Sequence, residues 1–312
     1  MNKIKVTVHI LLSVLGLALA AYSATHTSHA HQTSQSDWKP VEQALGKAGS
    51  MQPGDVYKVS FPRSDLKVTA AGVELKPALA LGTWVAFKRM QEMTVVMGDL
   101  VLTENEVTPV LTKLQQGGVE TTALHNHVLN ESPRVMYMHI HAMGDAVTIG
   151  KAIHDALALT KTPFASSPST ASSEIGIDTK QIDQIMGQSG KVNGGVYQYS
   201  IARADEITDT GMTDGHKMVI PAAMGLAQAI NFQPTGAGKA AITGDFVLLA
   251  GEVTPVMKAL RENGIEVTAV HSHMLTENPR LFFMHFWAND DALKLARGLR
   301  AALDKANVVR AR

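Results

Sequence analysis

Apolar and polar residues alternate in short runs along most of this chain, and the runs come in two matching sets. "VYKVSF" at 56–61 and "VYQYSI" at 196–201 keep the period of two that a half-buried strand needs. Gly82 to Phe87 adds a less regular strand. "TVVMGDLVL" and "AAITGDFVLL" read either as strands or as a hairpin around Gly-Asp. Helical spacing predicts short helices over Pro40 to Ala48 and Lys180 to Gln188, and longer ones over Glu106 to Gln116 and Glu252 to Glu262. Pro109 and Pro255 then fall near a first turn, where a missing N–H costs little, and Gly118 and Gly264 follow the helix ends. A closing helix starts at Asp145 or Asp291; in the first case Ile149, Ile153, Ala156 and Leu157 share one apolar face.

The two sets are a duplication. From Gly98–Asp145 to Gly244–Asp291 the offset is a constant 146, and 24 of 48 positions are identical. Upstream the match is looser, pairing 54–65 with 194–205 and 43–49 with 184–190. The chain therefore divides into repeats at 38–160 and 178–306, joined by a Ser/Pro/Thr-rich linker at 161–177 and followed by a tail at 307–312. Within the last sixty residues of each repeat the order is β-α-β-β-α, similar to half of a ferredoxin-like layer. The expected fold class is α+β: in each repeat an antiparallel sheet with helices on one face and a β-hairpin.

Composition removes several functions. Lys plus Arg equals Asp plus Glu at 28 each, so no net field draws nucleic acid or an anionic membrane. An aromatic fraction of 5% is too low for a base-stacking platform. Lys3 and Lys5 precede a nearly apolar run from Val6 to Tyr22, and Ala18-Leu19-Ala20 offers a small-x-small cleavage site. These features predict a signal peptide over 1–24, then a polar, His-dotted linker over 25–37. The expected protein is periplasmic or secreted, with no membrane association after cleavage. There is no cysteine, so any transition-metal site must use His, Asp, Glu or Met.

The candidate chemistry lies in "ALHNHVLNESPRVMYMHIH" (123–141) and its copy "AVHSHMLTENPRLFFMHFW" (269–287), which hold seven of the thirteen histidines. With a turn centred near Ser132, His125 faces His139 and His127 faces Tyr137; in the copy, His271 faces His285. Alternation then puts His125, His127, His139 and His141 on one side, and His271, His273, His285 and Trp287 on the corresponding side. Leu124, Val128, Met136, Met138 and Ile140 would face the helices. Three imidazoles from adjacent strands suit Zn²⁺, Cu²⁺ or Ni²⁺ and leave a position open for water or substrate.

Alternatives remain at this level. The histidines could be structural, satisfied by carbonyls or acids inside a core. A small anionic ligand is a further possibility, because Arg134 and Arg280 follow the turn proline. Asp99 and Asp245 could join the site if a neighbouring strand brought them alongside, although turn chemistry explains Gly-Asp equally well. A metal-dependent hydrolase would need Asp99, Asp245, Glu106 or Glu252 beside the ion. The recurring Arg63-x-Asp65 and Arg203-x-Asp205 read as loop-pinning ion pairs. Binding is favoured over catalysis, since no acid/base pair accompanies the histidines in sequence.

Residues 252–303, with His-x-His, Pro-Arg and Met-His elements in both repeats, resemble the LppY/LpqO-type family, named after mycobacterial lipoproteins. That resemblance implies an exported bacterial domain in two tandem copies and no assigned activity. Its lipoprotein members carry a lipid-bearing Cys that this chain lacks, so their tethering is not carried over. His141 stands where the second repeat has Trp287.

Overall fold

The computed structural model describes residues 34–165, 175–211 and 217–310. The expected signal peptide, most of the 25–37 linker and the middle of the 161–177 linker lie outside the described residues.

Each repeat is built on a six-stranded antiparallel sheet. In the first, β1 (Ser50–Gln52), β2 (Val56–Pro62), β3 (Gly82–Met90), β4 (Met93–Thr103), β5 (Glu120–His125) and β6 (Val135–Gly144) lie in the order β1-β2-β3-β4-β6-β5. In the second, β7 (Lys191–Asn193), β8 (Val196–Ala202), β9 (Ala227–Gly236), β10 (Lys239–Leu248), β11 (Glu266–His271) and β12 (Phe282–Asp291) repeat that order. Helices α1 (Lys39–Leu45), α2 (Glu104–Gln116) and α3 (Ala146–Leu157) serve the first repeat. Their counterparts are α4 (Thr179–Met186), α5 (Ala250–Glu262) and α6 (Ala292–Leu303).

Strand alternation sorts the side chains into layers. On the outer face Leu100 and Leu102 of β4 and Met138 and Ile140 of β6 meet Leu45, Leu114 and Ile153 from the three helices in one buried cluster. A matching cluster closes the second repeat. The inner faces pack on each other: Val95 and Met97 join Leu226, Val247 and Phe283, while Val101 and Tyr137 join Ala241 and Trp287. Helices are thus outermost and the two sheets lie face to face, so the expected helix-covered α+β sheets are present in both repeats.

Several local expectations are corrected. Gly98-Asp99 and Gly244-Asp245 are not turns, because β4 and β10 run straight through them. Glycine is needed there for close strand approach: a Cβ at Gly98 would stand 2.8 Å from the Trp84 carbonyl oxygen, and one at Gly244 only 1.8 Å from that of Ala229. Helices α2 and α5 begin earlier than predicted, because Glu106 and Glu252 fold back to accept from the N–H groups of Thr103 and Leu249 at 2.8 and 2.7 Å. Pro109 and Pro255 therefore lie inside their helices, beyond the first turn.

The hairpin has no tight turn. Residues Glu131–Ser132 leave the sheet to pair with Thr69–Ala70, and Glu277–Asn278 pair with Thr208–Asp209 in the same way. A bulge between Thr121 and Ala123 also shifts β5, so Ala123 faces His139 and His125 faces Tyr137. In the copy Ala269 faces His285 and His271 faces Phe283. The direct His125–His139 and His271–His285 oppositions do not form. The shift moves the register by an even number of residues, so the imidazoles keep a common side. Finally, Leu124 lies on an edge strand and is 42% exposed, and Val128 joins the inner cluster because the chain has left the strand by that point.

Substitution at Gly244 should separate two strands, whereas Gly251 in α5 has no neighbour within 4 Å. Gly244→Ala is expected to lower stability by about 1–3 kcal/mol. Gly251→Ala is expected to raise it by roughly 0.5–1 kcal/mol. Urea unfolding midpoints of the two variants check the opposite signs.

Candidate metal centre

The inner faces bring six histidines together. His125, at the end of β5, lies over His271, at the end of β11, with ring centroids 3.6 Å apart. His127 stacks on His285 at 3.9 Å, and His139 on His273 at 3.5 Å. Every one of these three pairs joins one repeat to the other. The two His faces therefore form a single composite cluster. Tyr137 and Phe283, which the shifted register sets opposite His125 and His271, stack on His127 at 3.3 Å and on His273 at 3.5 Å.

Asp99 and Asp245 belong to this cluster. The ladder sets Asp99 directly across from His139 and Asp245 across from His285. Asp99 carboxylate oxygens lie 3.9 Å from Nε2 of both His127 and His139, and Asp245 lies 3.8 Å from Nε2 of His273. These separations exceed a hydrogen bond and leave a gap among the donor atoms.

The hydrogen-bonding pattern is one-sided. Nδ1 of His285 lies 2.9 Å from the Gly244 carbonyl, Nδ1 of His125 3.1 Å from that of Asn126, and Nδ1 of His271 3.5 Å from that of Ser272. A carbonyl only accepts, so Nδ1 carries the proton and Nε2 keeps its lone pair. Nε2 of all six histidines is buried without a hydrogen-bond partner, as are one carboxylate oxygen of Asp99 and one of Asp245. Buried polar atoms are nearly always paired, and each orphan costs about 1–3 kcal/mol. Such concentration is what a set of metal ligands looks like when their bonds to the ion are left out of account.

The electrostatics agree with neutral ligands. Burial, aided by the His271 neighbour, pushes His125 down to about 3, and burial pushes His271 down to about 4. Burial and neighbouring imidazoles hold His127, His139, His273 and His285 well below the ordinary range. Burial raises Asp99 to about 8 against the pull of Lys58, and raises Asp245 well above its usual value with help from Asp99. Lys58, whose ammonium sits 3.9 Å over the Trp84 ring, is itself lowered by burial to about 8.

The remaining candidates lie elsewhere. His141 points away from the cluster, its Nε2 donating to Asp209 at 3.0 Å. Arg134 and Arg280 do not reach the imidazoles. Both are solvent-exposed beyond the turn: Arg134 approaches Glu104 at 4.0 Å, and Arg280 binds Glu277 at 3.2 Å and the Met274 carbonyl at 2.9 Å. Glu106 and Glu252 are held by Arg63 at 2.9 Å and Arg203 at 2.7 Å, the same arginines that pin Asp65 and Asp205.

Two positioning residues escaped the sequence reading. Thr122 donates to the His273 carbonyl at 2.6 Å, and Thr268 donates to the His127 carbonyl at 2.5 Å. Each repeat thus clips the His-x-His segment of the other, from the bulge residue of β5 or β11. Their identity at the common offset was the available signal, but threonine in a strand is ordinary.

The chain belongs to the family described as Domain of Unknown Function (DUF1259), matched twice, at residues 39–159 and 180–305. No curated protein matches it in sequence. Among solved structures, it is similar to the trimeric bacterial microcompartment shell protein PduB, at 13% identity over 84% of this chain and 95% of that one, with a TM-score of 0.19. EtuB from Clostridium kluyveri is 12% identical over 82% of this chain and 88% of that one, with a TM-score of 0.20. At such TM-scores the likeness carries no argument about fold or function.

The cluster sets the pH dependence of metal-free stability. The histidines, ordinarily near 6.5, are depressed in the folded state, so the unfolded chain binds more protons and stability falls as pH drops below 6.5. Asp99 moves from 3.8 to about 8, so its contribution is fully present below 3.8 and lost as pH rises through 8. Six imidazoles outweigh two carboxyls below 6.5, and the carboxyls act alone above it. Denaturant unfolding of chelator-treated protein should therefore give a maximum near pH 6.5, steep on the acid side. A flat profile from pH 4 to 8 would contradict the cluster's electrostatics.

Proposed function

We propose that this is an exported protein whose repeats together bind divalent transition metal ions, Zn²⁺, Cu²⁺ or Ni²⁺, at the composite His cluster. The observation that carries this is the set of six buried Nε2 atoms without a hydrogen-bond partner, gathered in groups whose donor atoms lie within 4.8 Å of one another. A purely structural histidine would use that nitrogen for a hydrogen bond. The likeness to LppY/LpqO-type domains and the apolar N-terminal run support export. An anionic ligand is less well served, because Arg134 and Arg280 find their partners at the surface.

The donor count favours two ions. The six histidines fall into two overlapping groups that share His125, His125/His127/His139 and His125/His271/His273/His285, within which all donor atoms lie within 4.8 Å of one another. Two nitrogens on one ion can be no more than about 4.2 Å apart, twice a metal–nitrogen bond of about 2.1 Å. No single ion is therefore served by all six as arranged. Asp99 lies beside His127 and His139 and Asp245 beside His273 and His285, so each group has a carboxylate next to it. The hydrolase reading gains from those carboxylates, yet Glu106 and Glu252 are committed to Arg63 and Arg203. Binding remains the function the geometry supports best.

Untagged protein should hold about two equivalents of Zn²⁺ by elemental analysis, matching the tetrahedral donor sets. The triple variants His125→Ala/His127→Ala/His139→Ala and His271→Ala/His273→Ala/His285→Ala should each retain one or fewer. Unchanged content in both would defeat the proposal. At a free ion concentration of about 100 times Kd, binding adds about 2.7 kcal/mol. A rise in Tm of roughly 5 °C or more should follow.

A further inference from the structure

The duplication is broken beside the cluster in a way that changes polarity. His141 in β6 corresponds to Trp287 in β12, and Asp209 corresponds to Ala70, since these pair with Glu277 and Glu131 at equivalent ladder positions. In one half Trp287 and Ala70 are buried in a continuous apolar cluster. In the other half, His141 and Asp209 line a cavity of about 420 Å³. His139 and His273, the stacked pair that joins the repeats, form part of its wall. These two differences set a cavity against the His139/His273 pair on one side and an apolar cluster on the other.

The cavity is in the size range of small-molecule sites, about 300–1,000 Å³. Its walls are largely apolar, with Met93, Met97, Met143, Met224 and Met274 prominent. These thioethers adapt to the shape of an occupant. Its charges are acidic. Asp209 is held down to about 2 against burial by hydrogen bonds from His141, Gly211 and Thr276. Glu120 lies 3.7 Å from Nδ1 of His141. Neither Lys nor Arg is among the described lining residues. Leu275, 59% exposed, adds apolar surface to the lining.

We propose that this cavity is the organic-ligand pocket of the metal centre, taking a mostly apolar, neutral or monocationic molecule whose donor atom adds to the coordination from the His139/His273 wall. The proposal rests on the metal reading for the ligated end of the molecule and on the lining for the rest. Acidic walls without a cation disfavour a carboxylate or phosphate occupant. On the other side Trp287 and Ala70 are buried at the equivalent positions, so one occupant per chain is implied.

The test uses full-length mature protein loaded with Co²⁺ and 4-phenylimidazole as probe, with imidazole and benzoate as comparisons. The visible Co²⁺ bands should shift on adding 4-phenylimidazole, with an affinity at least ten-fold above imidazole, and benzoate should be the weakest. The double variant H141W/D209A copies the Trp287/Ala70 pair that the protein already accommodates. It should keep the cobalt content and lose 4-phenylimidazole affinity at least ten-fold. L226W fills the cavity from another lining position and should do the same, which covers poor folding of the double variant. Equal affinities for 4-phenylimidazole and imidazole, or affinities unchanged in the folded variants, would overturn the pocket. Absence of bound cobalt, read separately by elemental analysis, would instead overturn the metal reading and this proposal with it.

Discussion

Six imidazole nitrogens and one oxygen from each of two carboxyl groups lie buried between two packed sheets with no hydrogen-bond partner among the described residues, and this shapes the rest of the molecule. Burying unpaired polar atoms works against folding. It persists here because apolar layers on both sides bury large side chains such as Tyr137, Phe246, Phe283 and Phe286. The unpartnered nitrogens are not scattered. They sit where two repeats meet, held by ladders, carbonyls and reciprocal threonine clips, so the cost is concentrated at one place that a cation can relieve.

The duplication explains why that place exists. A single repeat leaves one sheet face bare, apolar at its margins and His-bearing at its middle. Two copies cover each other, and every inter-repeat imidazole contact pairs non-identical positions or the two axial histidines, as a pseudo-twofold axis requires. Glycines at 98 and 244 belong to this arrangement because they let β3 and β9 approach beside Asp99 and Asp245. The departures from symmetry are then informative, and the exchange of His141 and Asp209 for Trp287 and Ala70 changes access to the cluster while leaving its donors alone.

Much of this was legible in sequence. Period-two runs located β2 and β8, Asp145 and Asp291 were the caps expected, and the constant offset exposed both repeats. The common side of the histidines survived an incorrect register because the error was an even number of residues. What stayed hidden was non-local. The bulge at Thr122 and the departure of Glu131–Ser132 to pair with Thr69–Ala70 leave no mark in a hydrophobic pattern. Gly-Asp looked like a turn because glycine's need for close strand contact, unlike its tolerance of positive φ, depends on a partner far along the chain. Asp209 has Ala70 at its equivalent position, so no repeated acidic residue marked it.

Anomalous diffraction at the zinc edge, from crystals of the untagged protein grown with Zn²⁺, addresses the central claim most directly. The account predicts scatterers between the two sheets, bonded through Nε2 at about 2.0–2.1 Å. No anomalous peak there, with water hydrogen-bonded to the Nε2 atoms of His125, His139, His271 and His285, would contradict it.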